Sequence, residues 1–117
     1  MQRESPNSMR QQISQMCSDL LPDNFQKLST LSFSYYRKAM KVESIRLSRI
    51  TDHALAVASV YIAVRLHMPK VEITQYDLSF KFNVSPMTIR KAYSRICTEL
   101  GISRADIIGS LKAGMEV

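Results

Sequence analysis

The sequence predicts an all-α fold, one domain in which amphipathic helices pack around a central hydrophobic helix. Apolar residues recur at helical spacing, and nowhere do Val, Ile and Thr alternate with polar residues as a half-buried strand requires. The segment DHALAVASVYIAVRLH, residues 52–67, is apolar on nearly every side. A helix without a polar face must be enclosed by others. With 117 residues, 45% of them hydrophobic, the chain is long enough for one real core and too short for two ordinary domains.

Residues 1–8 are polar, include Pro6, and are expected to be disordered. The domain is expected over residues 9–102. Met9, Ile13, Met16, Cys17, Leu20 and Leu21 fall on one face of a first helix, which Pro22 and Asp23 end. A second helix is predicted from Asn24 to Met40, with Phe25, Leu28, Leu31, Tyr35 and Ala39 inward. Arg37, Lys38 and Lys41 lie near its C-terminal end, where cations complement the helix dipole. The connector VESIRLSRI, residues 42–50, keeps Arg46 and Arg49 accessible.

Thr51 or Asp52 caps the third helix, whose small residues Ala56, Ser59 and Ala63 let neighbouring helices approach closely. After the loop MPKVE, a short fourth helix is predicted from Ile73 to Phe82 with Thr74 as its N-cap. Asn83 tolerates the left-handed conformation needed to leave that helix sharply. Ser85 is the next N-cap, and Pro86 takes the first helical position, where its missing N–H costs nothing. A fifth helix, Pro86 to Leu100, buries Ile89, Ala92, Tyr93, Ile96, Cys97 and Leu100, and Gly101 stops it. Residues 103–117 form a tail or one more short helix, with Ile107, Ile108 and Leu111 available for packing.

Net charge is +6 and the pI is near 9.6, with the surplus gathered in Arg37 to Arg49 and Lys81 to Arg95. Clustered cations suit a polyanionic partner. Cys17 and Cys97 fall on apolar faces without zinc spacing, which predicts reduced core thiols in an intracellular protein. The opening MQRESPNS lacks the apolar run of a signal peptide, and the longest strongly apolar stretch, ALAVASVYIAV, has 11 residues. That is too short to span a bilayer. His53 has no second His, Cys or carboxylate in a plausible constellation, and no phosphate loop, metal cluster or nucleophile–base pair is visible. The expectation is a protein that is not an enzyme, with no cofactor, no metal and no small-molecule substrate.

TQYDLSFKFNVSPMTIRKAY, residues 74–93, has the spacing of a helix-turn-helix that extends over 74–100. Small Ser79 allows the second helix to cross, Asn83 supplies the turn, and Val84 fills the angle between the helices. The second helix then presents Met87, Arg90, Lys91 and Ser94 as an outward strip, with Thr88 and Arg95 along its edge. Arg reads guanine N7 and O6 in the major groove, an apolar side chain meets a thymine methyl, and Ser or Thr binds phosphate. Ser85, Met87, Thr88 and Arg90 place that mixture at the working end of the helix. A solvated basic face is the plain alternative.

The helix order, the VASVYIAVRL segment at 57–66 and the NVSPMTIRKAYSRI segment at 83–96 together resemble a cyclin-type repeat of the general transcription factor TFIIB, called TFB in archaea. An A-x-x-Y-x-A run of that family is matched by Ala58, Tyr61 and Ala63. Its G-V-[ST]-x-x-T-[IV]-R-x-x-Y pattern is matched by Val84, Ser85, Thr88, Ile89, Arg90 and Tyr93. The resemblance covers roughly residues 9–102 and is closer to the second, C-terminal repeat. It implies a single cyclin-like five-helix domain with a central buried helix and a C-terminal helix-turn-helix. It also implies promoter binding next to the TATA box, with base contacts from Met87 and Arg90 and backbone contacts from Ser85, Thr88 and Lys91. Asn83 stands where the family has glycine, and Met87 where it has a smaller valine. SRITD replaces a G-R-[ST]-P-like sequence, with Arg49 near the matching position for a phosphate contact.

The implied partners are promoter DNA, TATA-binding protein, and RNA polymerase through a parent protein or other subunits. The family's zinc ribbon and first repeat are missing, so the chain is expected to be either an excised C-terminal domain or a single-repeat protein. Its setting is then the nucleus if eukaryotic, or the cytoplasm if archaeal, with no membrane. Two alternatives remain: a cyclin-like protein-binding scaffold without DNA contact, and a stand-alone helix-turn-helix repressor, which needs a dimer interface to match half-sites.

Overall fold

A computed structural model describes residues 5–103. Among them every regular element is helical: α1 Pro6–Leu20, α2 Phe25–Met40, α3 Glu43–Arg46, α4 Asp52–His67, α5 Gln75–Phe82 and α6 Pro86–Leu100, with a single 3-10 turn over Pro22–Asn24. No strand occurs among the described residues. The tail beyond Ser103, with Ile107, Ile108 and Leu111, lies outside them.

The start signals in the sequence act as N-caps. Thr51, Thr74 and Ser85 each accept a backbone N–H three residues on, from Ala54, Asp77 and Thr88. Each such cap stabilises its helix by about 1 kcal/mol. At α5 the Asp77 carboxylate also accepts from the Thr74 backbone N–H at 2.8 Å, closing a capping box. These bonds hold its pKa below the ordinary carboxylate value. Helices α5 and α6 end in left-handed residues, Asn83 at φ 55° and Gly101 at φ 70°.

Several expectations need correction; on α6, Tyr93, Cys97 and Leu100 are half-buried, and only Ile89, Ala92 and Ile96 are buried. The first helix begins at Pro6, inside the 1–8 segment expected to be disordered, because Ser5 caps it and Pro6 occupies a first-turn position, where proline is favoured. The connector after α2 contains a single helical turn, α3, which seats Ile45 fully in the core. On α2 the deepest residues are Leu28, Ser32, Phe33, Tyr36 and Ala39, whereas Phe25, Leu31 and Tyr35 are half-buried. Phe33 lies beneath the Arg10 and Arg37 guanidinium groups, and Tyr36 donates to the Asp52 carboxylate at 3.4 Å. Polar partners thus let two aromatic rings pack inward where the apolar periodicity had selected Tyr35.

Helix α4 is the hub, packed against α1, α2, α5 and α6. Leu55, Val57, Val60 and Ile62 are fully buried on it, each worth about 1.5 to 3 kcal/mol of hydrophobic stabilisation. Ser59 is equally buried and its hydroxyl donates to the Leu55 carbonyl at 2.8 Å, so a small polar residue sits in the core without an unmet bond. Cys17 is buried as expected; its thiol donates to Ser32 Oγ at 3.8 Å, and burial pushes its pKa up to about 11. No described helix is long and apolar enough to cross a membrane.

Candidate nucleic-acid interface

The α5–α6 pair joins through Asn83 and Val84. Asn83 is exposed with φ 55° and ψ 47°, the left-handed geometry the turn requires, and Val84 is buried beneath it. Leu78 and Ile89, both fully buried, lie on the core side of the two helices, and Ser79 is half-buried. Two contacts tie this unit to α4. His53 Nε2 donates to the carbonyl of Phe82, the last residue of α5, at 2.7 Å, and Tyr61 meets Tyr93 of α6 edge-on with centroids 5.2 Å apart. A donor bond to a carbonyl fixes the proton on Nε2. His53 therefore has a structural task here.

Every residue assigned to the interface from sequence is exposed: Arg49, Ser85, Met87, Thr88, Arg90, Lys91, Ser94 and Arg95. Met87 is 77% exposed, an uncommon position for a large apolar side chain at the start of a helix. At 100° per residue, Met87, Arg90 and Ser94 share one strip of α6, Thr88 and Arg95 the next, and Lys91 stands between them. Ser85 Oγ and Thr88 Oγ1 are 2.7 Å apart and share one hydroxyl proton, while Ser85 Oγ also accepts the Thr88 N–H. Whichever hydroxyl donates, the other proton of the pair stays free for an incoming acceptor.

The fold brings Arg49 to the exposed side of α6 that carries Thr88, Lys91 and Arg95. It lines an open cleft of about 520 Å³ together with Thr51, Thr88, Lys91 and Arg95. Arg49 and Lys91 make no ion pair with any described residue. Among the described residues Arg95 pairs with Glu99 alone, at 4.0 Å, across a partly exposed i,i+4 spacing. Pairs of that kind hold their partners weakly. The cleft thus concentrates positive charge beside hydroxyl donors, the chemistry that grips a phosphate oxyanion.

Sequence reasoning missed two sets of residues. Ser44 and Ser48 line the same cleft, and nothing in their spacing links them to α6. Tyr76 and Phe80 of α5 are 67% and 94% exposed and border a shallow groove with Asp77 and Lys81. Their signal was available: with Leu78 and Phe82 inward, a helix places residues 76 and 80 outward. Among the described residues no group of His, Cys, Asp and Glu could hold a metal ion. Scans against protein-family models, curated proteins and solved structures found no match to this chain.

Proposed function

We propose that the chain is a TFIIB-like transcription initiation factor domain that binds promoter DNA next to the TATA box and assembles with TATA-binding protein. In this reading α1, α2, α4, α5 and α6 are the five helices of a cyclin-like repeat, and α3 is an extra turn in its second connection. Helix α6 enters the major groove, where Met87 and Arg90 meet base edges and Ser85, Thr88 and Lys91 contact the backbone. RNA polymerase is reached through a parent protein or other subunits.

The observation that carries the proposal is the meeting of Arg49 with Thr88, Lys91 and Arg95 in one cleft alongside the exposed Met87–Arg90–Ser94 strip. A merely solvated helix face has no need of a cation delivered from a separate loop. The test is fluorescence anisotropy with a duplex carrying a TFIIB-recognition element and a TATA box, with and without TATA-binding protein. Binding is expected to rise with that protein and to weaken steeply with salt, because neutralised phosphates release counterions. Arg90→Ala should flatten base preference at a cost of about 1 to 3 kcal/mol, and Lys91→Ala should weaken all sequences alike. Unchanged affinity and preference in Arg90→Ala would remove α6 as a reading helix.

One observation favours a second reading, a protein-binding scaffold: α5 turns Tyr76 and Phe80 to solvent one helical turn apart. Exposed aromatic residues are common anchors at protein interfaces. Tight capture of a protein partner, with no change in the amide signals of residues 85–95 on adding DNA, would favour it.

A further inference from the structure

We infer that the cleft between the 44–51 segment and α6 is a phosphate-binding subsite whose strength is tempered by Glu99 beside it. For its natural ligand, a DNA backbone phosphate, the inference rests on the function proposed above. The donor set itself suits any phosphate oxyanion, including the free inorganic ion.

The cleft has two walls, and a cation stands on each. Arg49 belongs to the loop wall and Lys91 to the α6 wall, and neither is neutralised by a described residue. Like charges held on facing walls repel, and an anion between them turns that repulsion into two attractions. Thr51 and Thr88 add hydroxyl groups from the same two walls.

Glu99 of α6 stands beside the cleft and touches residues of both walls. Its carboxylate takes a hydrogen bond from Ser44 Oγ at 3.1 Å and lies 4.0 Å from Arg95 Nη1. Ser44 and Arg95 both line the cleft, one on each wall. In the free protein the exposed Glu99 carboxylate therefore already links Ser44 and Arg95, one from each wall. A phosphate entering beside it competes for Arg95 and is repelled by the Glu99 charge, so Arg49 and Lys91 grip first and Arg95 is held in reserve. Loose, sequence-independent binding is thereby restrained without any change in the base-reading strip.

The test uses the full chain, its Arg49→Gln and Glu99→Gln variants, inorganic phosphate and promoter duplex. Glutamine at 99 keeps an acceptor for Ser44 and removes only the charge. In amide NMR at low ionic strength, inorganic phosphate should shift Thr51 and Thr88 in the wild type. Affinity should fall in Arg49→Gln and rise about two- to fivefold in Glu99→Gln, the size of one exposed charge interaction. On duplex, Arg49→Gln should reduce the salt slope by about 0.9, the contribution of one phosphate, and leave base preference intact. Glu99→Gln should strengthen all duplexes alike.

An Arg49→Gln variant with unchanged phosphate shifts and unchanged slope overturns the subsite. A Glu99→Gln variant that binds no more tightly overturns the tempering. If duplex fails to bind while the Arg49-dependent phosphate shifts persist, the subsite stands and the DNA reading falls. If duplex binds with Arg90-dependent preference but without an Arg49 effect, the DNA reading stands and the subsite falls.

Discussion

Replacing Asn83 by alanine should destabilise the domain by about 1 kcal/mol, and replacing it by glycine should change stability by about half of that or less. Asn83 sits at φ 55° and ψ 47°, where a residue with a Cβ meets a cost of roughly 1 to 2 kcal/mol that asparagine partly escapes. Its side chain is exposed and makes no hydrogen bond with a described residue, so alanine loses only the tolerance of that backbone conformation. Glycine removes the strain but enlarges the freedom of the unfolded chain, which costs roughly 0.5 to 1 kcal/mol and offsets the gain.

Gly101 provides a control at the end of α6. Its φ is 70°, and an added Cβ meets nothing within 4 Å. Gly101→Ala should therefore also cost about 1 kcal/mol, through backbone strain without any clash. In a domain of this size 1 kcal/mol moves the melting temperature by about 4 to 8 °C. Thermal unfolding followed by far-ultraviolet circular dichroism would resolve this shift. Equal melting temperatures for Asn83→Ala and Asn83→Gly would show that the turn does not depend on a left-handed residue, and the account of the α5–α6 angle would fail with it.

Leu55→Ala, in the fully buried middle of the domain, should cost about 2 to 5 kcal/mol in urea unfolding, and a loss below 1 kcal/mol would contradict the placement of α4 as the hub. Ser85→Ala should cost about 1 kcal/mol by removing the α6 cap, measurable as a lower melting temperature, and Ser85→Asp should restore most of it by capping again. The Cys17 thiol is raised from 9.0 to about 11 by burial, so the unfolded chain ionises first and stability should fall as pH rises from 9 towards 11. Urea midpoints across that range should decline less steeply in Cys17→Ala, and parallel declines would rule out this linkage.

Much of the fold was legible because its signals are local. Thr51, Thr74 and Ser85 cap through a bond to the third residue on, and Asn83 and Gly101 act through their own φ, so a short window contains each cause. The single turn α3 was missed because four residues are too few to display a period. Tyr36 was missed because the bond to Asp52 that suits it to the interior comes from another helix. The candidate site divides in the same way. The outward strip of α6 follows from its inward set, while the cleft depends on packing that brings residues 44–51 against 88–95.

That packing assigns separate tasks to the turn and to α4. Asn83 and Val84 govern how α6 leaves α5, but they do not determine where the pair lies relative to Arg49. Helix α4 does so from both sides. His53 holds the end of α5 through the Phe82 carbonyl, Tyr61 packs on Tyr93 of α6, and the chain entering α4 at Thr51 is the same segment that carries Arg49. A core substitution that shifts α4 should therefore disturb the cleft and the exposed strip of α6 together. A surface substitution at Arg49 should affect the cleft alone, and one at Arg90 the strip alone. Under the proposed function, sequence-independent grip and base preference should then be separable by mutation at the surface and inseparable in the core, as expected when two contact surfaces share one rigid support.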